Sequence, residues 1–132
     1  MKTVIFACVQ NAGRSQMAAA FFNRFADPGK AHAVSAGTKP AGHVHPEVIT
    51  VMGEVGLDLS GAIPRKLTAR LSSEAWWLIT MGCGEDCPVL LGVKRDDWPL
   101  PDPHGKDLEA VRAIRDQIRD KVQGFIKDQG WG

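Results

Sequence analysis

After Met1, residues 2–8 (Lys-Thr-Val-Ile-Phe-Ala-Cys) are β-branched and apolar on both parities, the pattern of a strand buried on both faces of a sheet. Such a strand belongs at the centre of its sheet. A polar turn follows, and then Ser15 to Ala26 carries Met17, Ala20, Phe21, Arg24 and Phe25 at helical spacing. Residues 31–36 read as a second strand stopped by Gly37. Pro46 suits the first turn of a helix whose Val48, Ile49, Met52 and Val55 form an apolar stripe ending before Gly56. A loop runs on to about Pro64, and Thr68 can cap a short helix. Residues 76–81 (Trp-Trp-Leu-Ile-Thr-Met) predict a third strand entering Gly82 and Cys83, and residues 93–98 suit a fourth. Asp107 can cap the last helix, in which Leu108, Val111, Ile114, Ile118, Val122, Phe125 and Ile126 make one face. Arg112, Arg115, Arg119 and Lys121 are expected on its solvent side.

Strands alternating with helices predict an α/β domain with a parallel sheet, because parallel neighbours need crossover connections. The 132 residues, 44% hydrophobic and 23% charged, fit a single domain spanning 1–132. Sixteen Lys and Arg against fifteen Asp and Glu leave a formal charge of +1, far from the basic excess that drives nucleic-acid binding. The apolar run from Thr3 to Val9 is too short to span a bilayer or to form the core of a cleaved signal, so a cytoplasmic protein is expected. Three cysteines in that compartment point to reactive thiols or inert core residues, not to a disulfide scaffold.

Ligands of parallel sheets bind outside the carboxyl ends of the strands, where Cys8 and Cys83 both fall. The segment Cys8-Val9-Gln10-Asn11-Ala12-Gly13-Arg14-Ser15 joins the central strand to a helix. Backbone N–H groups converging at a helix N-terminus favour an anion, and the Arg14 guanidinium can grip two oxygens of a tetrahedral oxyanion. The same field stabilises a thiolate at Cys8, and Ser15 can donate a hydrogen bond to it, which makes Cys8 a nucleophile. Gly13 is expected to supply unusual backbone angles, and Asn11 to brace the loop through its side chain or to turn left-handed itself. The plainer alternative is a buried strand-end cysteine and a surface arginine. Downstream, Met81-Gly82-Cys83-Gly84-Glu85-Asp86-Cys87-Pro88 holds two more thiols. On a helix, Cys83 and Cys87 would lie about 5–6 Å apart at Cβ, whereas a disulfide needs about 3.5–4.5 Å. Bridging them would therefore distort the segment, and Pro88 already biases Cys87 away from helical angles. A zinc half-site or two structural thiols are the alternatives, but His43, His45 and His104 show no supporting spacing. Asp102-Pro103 is by itself an ordinary turn dipeptide, and Trp98 suits core or pocket wall.

Taken together, the Cys8-to-Arg14 loop, the run Arg14-Ser15-Gln16-Met17-Ala18, Ser35-Ala36-Gly37-Thr38 and Asp102-Pro103 resemble the low-molecular-weight tyrosine phosphatase family, in its arsenate reductase branch. The resemblance covers essentially the whole chain. It implies a four-stranded parallel sheet flanked by helices, with Cys8 as nucleophile, residues Val9 to Ser15 binding the substrate and Asp102 standing over the site as acid or base. It also implies reduction of arsenate, with phosphate or sulfate as mimics, in arsenic detoxification. Electrons would pass from Cys87 and Cys83 to Cys8, and thioredoxin would reduce the resulting Cys83–Cys87 disulfide. No tightly bound cofactor, no metal, no nucleic-acid or membrane partner and a monomeric state are expected. The alternative is a phosphatase working through a phosphocysteine. Against a phosphotyrosine pocket, the chain has no Tyr, and His104-Gly105 follows the Asp-Pro pair. Ala19 stands where related reductases carry a glutamate that helps bind potassium, so no potassium site is carried over.

Overall fold

The computed structural model describes residues 2–82 and 93–132. Four strands, β1 (Lys2–Cys8), β2 (Ala31–Gly37), β3 (Trp77–Thr80) and β4 (Lys94–Asp97), form one sheet in the order β2-β1-β3-β4. Every pairing in it is parallel. The doubly apolar strand is central, as its pattern requires, with Val4 to Cys8 all buried. Its alternation divides two cores: Val4, Phe6 and Cys8 face one, Ile5 and Ala7 the other. At the opposite extreme, Lys-Arg-Asp-Asp makes β4 an exposed edge strand whose charges discourage pairing with another chain.

Helices α1 (Arg14–Phe25), α2 (Pro46–Gly53) and α4 (Leu108–Gln129) supply the larger core, while α3 (Ala69–Ser73) borders the smaller one. Thr68 and Asp107 cap α3 and α4 as expected, their side chains accepting from the N–H groups of Leu71 and Ala110. The faces differ from the simple stripes. In α1 the buried positions are Arg14 to Ala19, Phe21 and Phe22, while Phe25 is exposed. The helix starts at the loop after β1, so its first turn is buried by that loop as well as by the core, which Met17 already joins. In α2 Val51 joins Val48 and Met52 in the core, while Ile49 is only half-buried. Leu108 lies exposed at the start of α4, and Arg115, expected in solvent, is buried. Arg115 reaches across to α2, donating to the Val51 carbonyl at 2.8 Å and to Glu54 at 2.9 Å. Trp98 is both core and pocket wall: its ring lies 5.6 Å from Phe6 and 5.8 Å from Phe125, and it lines a surface pocket beside Asp96 and Lys121, away from Cys8. No described helix is long and apolar enough to cross a membrane.

Candidate active site

At the carboxyl end of β1 the chain turns away from the sheet into the loop that leads to α1. The carbonyls of Cys8, Val9, Gln10 and Ala12 accept bonds from the N–H groups of Thr38, Lys39, Ala41 and His45, at 2.8–3.1 Å. Because a trans peptide sets its C=O and N–H on opposite sides, these outward carbonyls turn the following amides, those of Val9, Gln10, Asn11 and Gly13, toward the inside of the loop. That is an anion-facing ring at the start of a helix. Gly37 makes the close approach possible, since a Cβ there would stand 2.5 Å from the Val9 carbonyl oxygen and 2.9 Å from the Asn11 nitrogen.

Asn11 is the keystone of this turn. It is fully buried and takes the left-handed conformation at φ 51°. Its amide nitrogen donates to the Ser15 hydroxyl at 2.8 Å, while its side-chain oxygen accepts from Gln16 at 3.1 Å and from the Arg65 backbone at 3.0 Å. Cys8 Sγ lies 2.9 Å from Ser15 Oγ. With Asn11 donating into one lone pair of that hydroxyl, Ser15 can still donate its own proton to the sulfur or accept from the thiol. Asn11 thus does both things the sequence left open. Gly13 takes the unusual backbone angles expected of it, φ −143° and ψ −95°, outside both the helical and the extended regions, and it has a steric role besides: a Cβ would sit 2.8 Å from Pro103 Cγ.

Arg14 opens α1 with 9% of its surface exposed. Its Nη1 donates to the Leu100 carbonyl at 2.9 Å, and its Nη2 stands 3.9 Å from Asp102 Oδ2. Gly82, at φ 96°, packs against this guanidinium, and any side chain there would collide with it. Asp102 is 59% exposed, so this long ion pair contributes little to stability and acts as a positional link. A small pocket is lined by Cys8, Val9, Gln10, Ala12, Gly13, Arg14, His45 and Asp102. Of the residues expected to bind substrate, Asn11 and Ser15 stand behind the wall as its braces. Cys83 and Cys87 lie outside the described residues.

Sequence reading missed His45. It precedes Pro46, is buried at 7% exposure, and burial together with the neighbouring His104 lowers its pKa from the ordinary histidine value. The imidazoles of His45 and His104 lie 4.4 Å apart at their centroids, a pairing that no local spacing could have signalled.

A parallel sheet whose central strand ends in a cysteine, followed by an arginine-bearing loop and a helix, is the architecture of cysteine-loop enzymes of the phosphatase type. The family model described as low molecular weight phosphotyrosine protein phosphatase matches residues 3–129, and the chain belongs to that family. Within it, the chain is 43% identical over 121 residues to a putative arsenate reductase of Halobacterium salinarum, covering 89% of this chain and 85% of that protein. It is 35% identical over 129 residues to the glutaredoxin arsenate reductase of Synechocystis, covering 96% and 97% of the two. A solved structure of a Corynebacterium glutamicum thioredoxin-dependent arsenate reductase superposes with a TM-score of 0.84 at 35% identity, covering 97% of this chain. This chain spans 61% of that longer one.

Proposed function

We propose that the protein reduces arsenate to arsenite, starting from nucleophilic attack by Cys8. What carries the reading is the Cys8–Ser15–Asn11 chain of contacts, 2.9 and 2.8 Å long, at the base of a pocket that Arg14 and Asp102 border. The similarity to named arsenate reductases turns this oxyanion site from ester hydrolysis toward reduction.

Arsenate enters the amide ring with Arg14 across two of its oxygens. Cys8 thiolate attacks arsenic, and one arsenate oxygen leaves as water, protonated from Asp102 or from solvent. Cys83 thiolate then attacks Cys8 Sγ. The electron pair of the sulfur–arsenic bond stays on arsenic, so As(V) becomes As(III), arsenite departs and a Cys8–Cys83 disulfide forms. Cys87 attacks Cys83, freeing Cys8 and leaving a Cys83–Cys87 disulfide for an external dithiol to reduce. Thioredoxin is the proposed donor.

A coupled assay tests this. With arsenate, NADPH and either the thioredoxin or the glutaredoxin system, NADPH consumption should require arsenate and run fastest with thioredoxin. Brisk hydrolysis of phosphate esters without arsenate-dependent NADPH oxidation would overturn the reading in favour of a phosphatase. In Cys87→Ser, one turnover should leave Cys8 disulfide-bonded to Cys83; mass mapping that finds Cys8 reduced after that turnover would contradict the relay.

A further inference from the structure

At the rim of the pocket, the turn into α2 and the segment after Asp102 bring together two imidazoles and a carboxylate from distant parts of the chain. The ligand atoms of His45, Glu47 and His104 all lie within 4.8 Å of one another. We propose that these three side chains bind a divalent borderline cation of the zinc type, fastening the Asp102 segment to the start of α2.

The donor set fits that chemistry. Neutral imidazole nitrogens and a carboxylate oxygen are the ligands zinc accepts alongside thiolate, and two histidines with one carboxylate leave a fourth position open to water. With bonds of about 2.0–2.2 Å, a tetrahedral ion holds its donors roughly 3.3–3.6 Å apart, so each side chain has only about an ångström to close. The mobility needed is in the right places. His45 is the fixed point: it is buried, its N–H donates to the Ala12 carbonyl at 3.0 Å, and its own carbonyl accepts from Val48 and Ile49 in the first turn of α2. Glu47 is half-buried and His104 exposed, so both can swing toward it. His104 is also oriented from behind, because its N–H donates to Asp102 Oδ1 at 3.0 Å. That bond ties the cation mechanically to the acid of the site. Glu47 offsets the partial positive charge of the α2 N-terminus, which would otherwise oppose a cation there. Hydration alone would not need a buried imidazole, a half-buried carboxylate and an exposed imidazole to converge, whereas a shared cation does.

The proposal is independent of which oxyanion the pocket takes, since its primary readout is metal binding. Zn²⁺ titration by calorimetry on the full chain carrying Cys83→Ser and Cys87→Ser should give one site. His104→Ala and Glu47→Gln, both on accessible positions, should each weaken it at least tenfold, with His43→Ala as the neighbouring control left unchanged. Co²⁺ added to the unaltered, reduced chain should give visible ligand-field bands that His104→Ala removes, without the near-ultraviolet charge-transfer band of a thiolate ligand. Equal Zn²⁺ affinity in His104→Ala and its parent would overturn the proposal. So would Co²⁺ bands that vanish with Cys83→Ser and persist in His104→Ala, which would assign the metal to the thiols.

Discussion

Two segments meet over Cys8, and they are built in opposite ways. The loop from Cys8 to Ser15 is buried except at half-buried Val9 and exposed Gln10, and the carbonyls of Cys8, Val9, Gln10 and Ala12, together with both ends of the Asn11 side chain, are committed to hydrogen bonds. The segment from Leu100 to His104 is anchored by the Leu100 carbonyl on Arg14 and by buried Pro103 lying against Gly13, while Asp102 itself is exposed. The contrast separates two tasks. A group that recognises charge works best when its dipoles are already oriented. A group that must exchange protons needs access to water and some freedom to move.

The largest effects should come from the rigid side. Cys8→Ser should abolish turnover, since a hydroxyl at this position has no base to activate it; measurable arsenate-dependent oxidation in that variant would put the nucleophile elsewhere. Arg14→Lys keeps the charge but loses the planar fork, and should lower kcat/KM by about 10²–10³-fold, the usual loss for one oxyanion donor. Asp102→Asn, on the exposed side, should cost about 10²-fold in kcat. Oxyanion affinity, measured by phosphate competition, should stay equal or tighten in that variant, because a negative charge has left the pocket mouth. A parallel collapse of affinity would mean that Asp102 is part of the rigid cradle after all.

This division also marks what the sequence could say. β1 and its loop were legible because everything needed is local: an apolar run of both parities, then Asn, Gly, Arg and Ser within one turn. The all-parallel sheet followed from the alternation of elements, and the caps Thr68 and Asp107 were readable as single residues with a defined bond to make. What stayed hidden depends on distant partners. Arg115 reads as a solvent residue until α2 supplies Glu54 and the Val51 carbonyl. His45 reads as a pre-proline loop residue until the fold sets it beside His104. Gly13 was legible for its unusual backbone angles, while its second constraint, the close approach of Pro103, comes from a distant partner and stayed hidden.

Asn11→Ala tests the rigidity itself. The substitution removes three bonds from a fully buried position and leaves a left-handed residue without its compensating side chain. At roughly 1 kcal/mol for each such bond, the loss of stability should be about 3 kcal/mol. Cys8 should also be alkylated more slowly as Ser15 loses its orientation, which the rate of iodoacetamide reaction would reveal. A variant of unchanged stability and unchanged thiol reactivity would show that the loop holds its shape without this residue.

The smallest effect concerns α2, against whose first residues the Asp102 segment is set through His104 and His45. α2 begins at the pocket rim and is held at its far end by Glu54, which accepts from Arg112 at 2.7 Å and from Arg115 at 2.9 Å. Chiefly the Arg112 hydrogen bond, and then Arg115, lowers the Glu54 pKa from its ordinary 4.5 despite some opposing desolvation. The folded chain therefore binds this proton less readily than the unfolded chain does. The stabilisation is complete above pH 4.5 and is lost as the pH falls through the lowered value. Glu54→Gln should be slightly less stable than the parent at pH 7, and the gap should close as denaturant midpoints are followed downward from pH 4.5. Because the carboxylate is accessible, the difference should also shrink in high salt. Turnover at neutral pH should be nearly unchanged, since the other end of α2 is held by His45 on the Ala12 carbonyl. A fall in kcat comparable to that of Asp102→Asn would mean instead that the position of Asp102 is set from the far end of α2, and that its segment is less independent than its few contacts indicate.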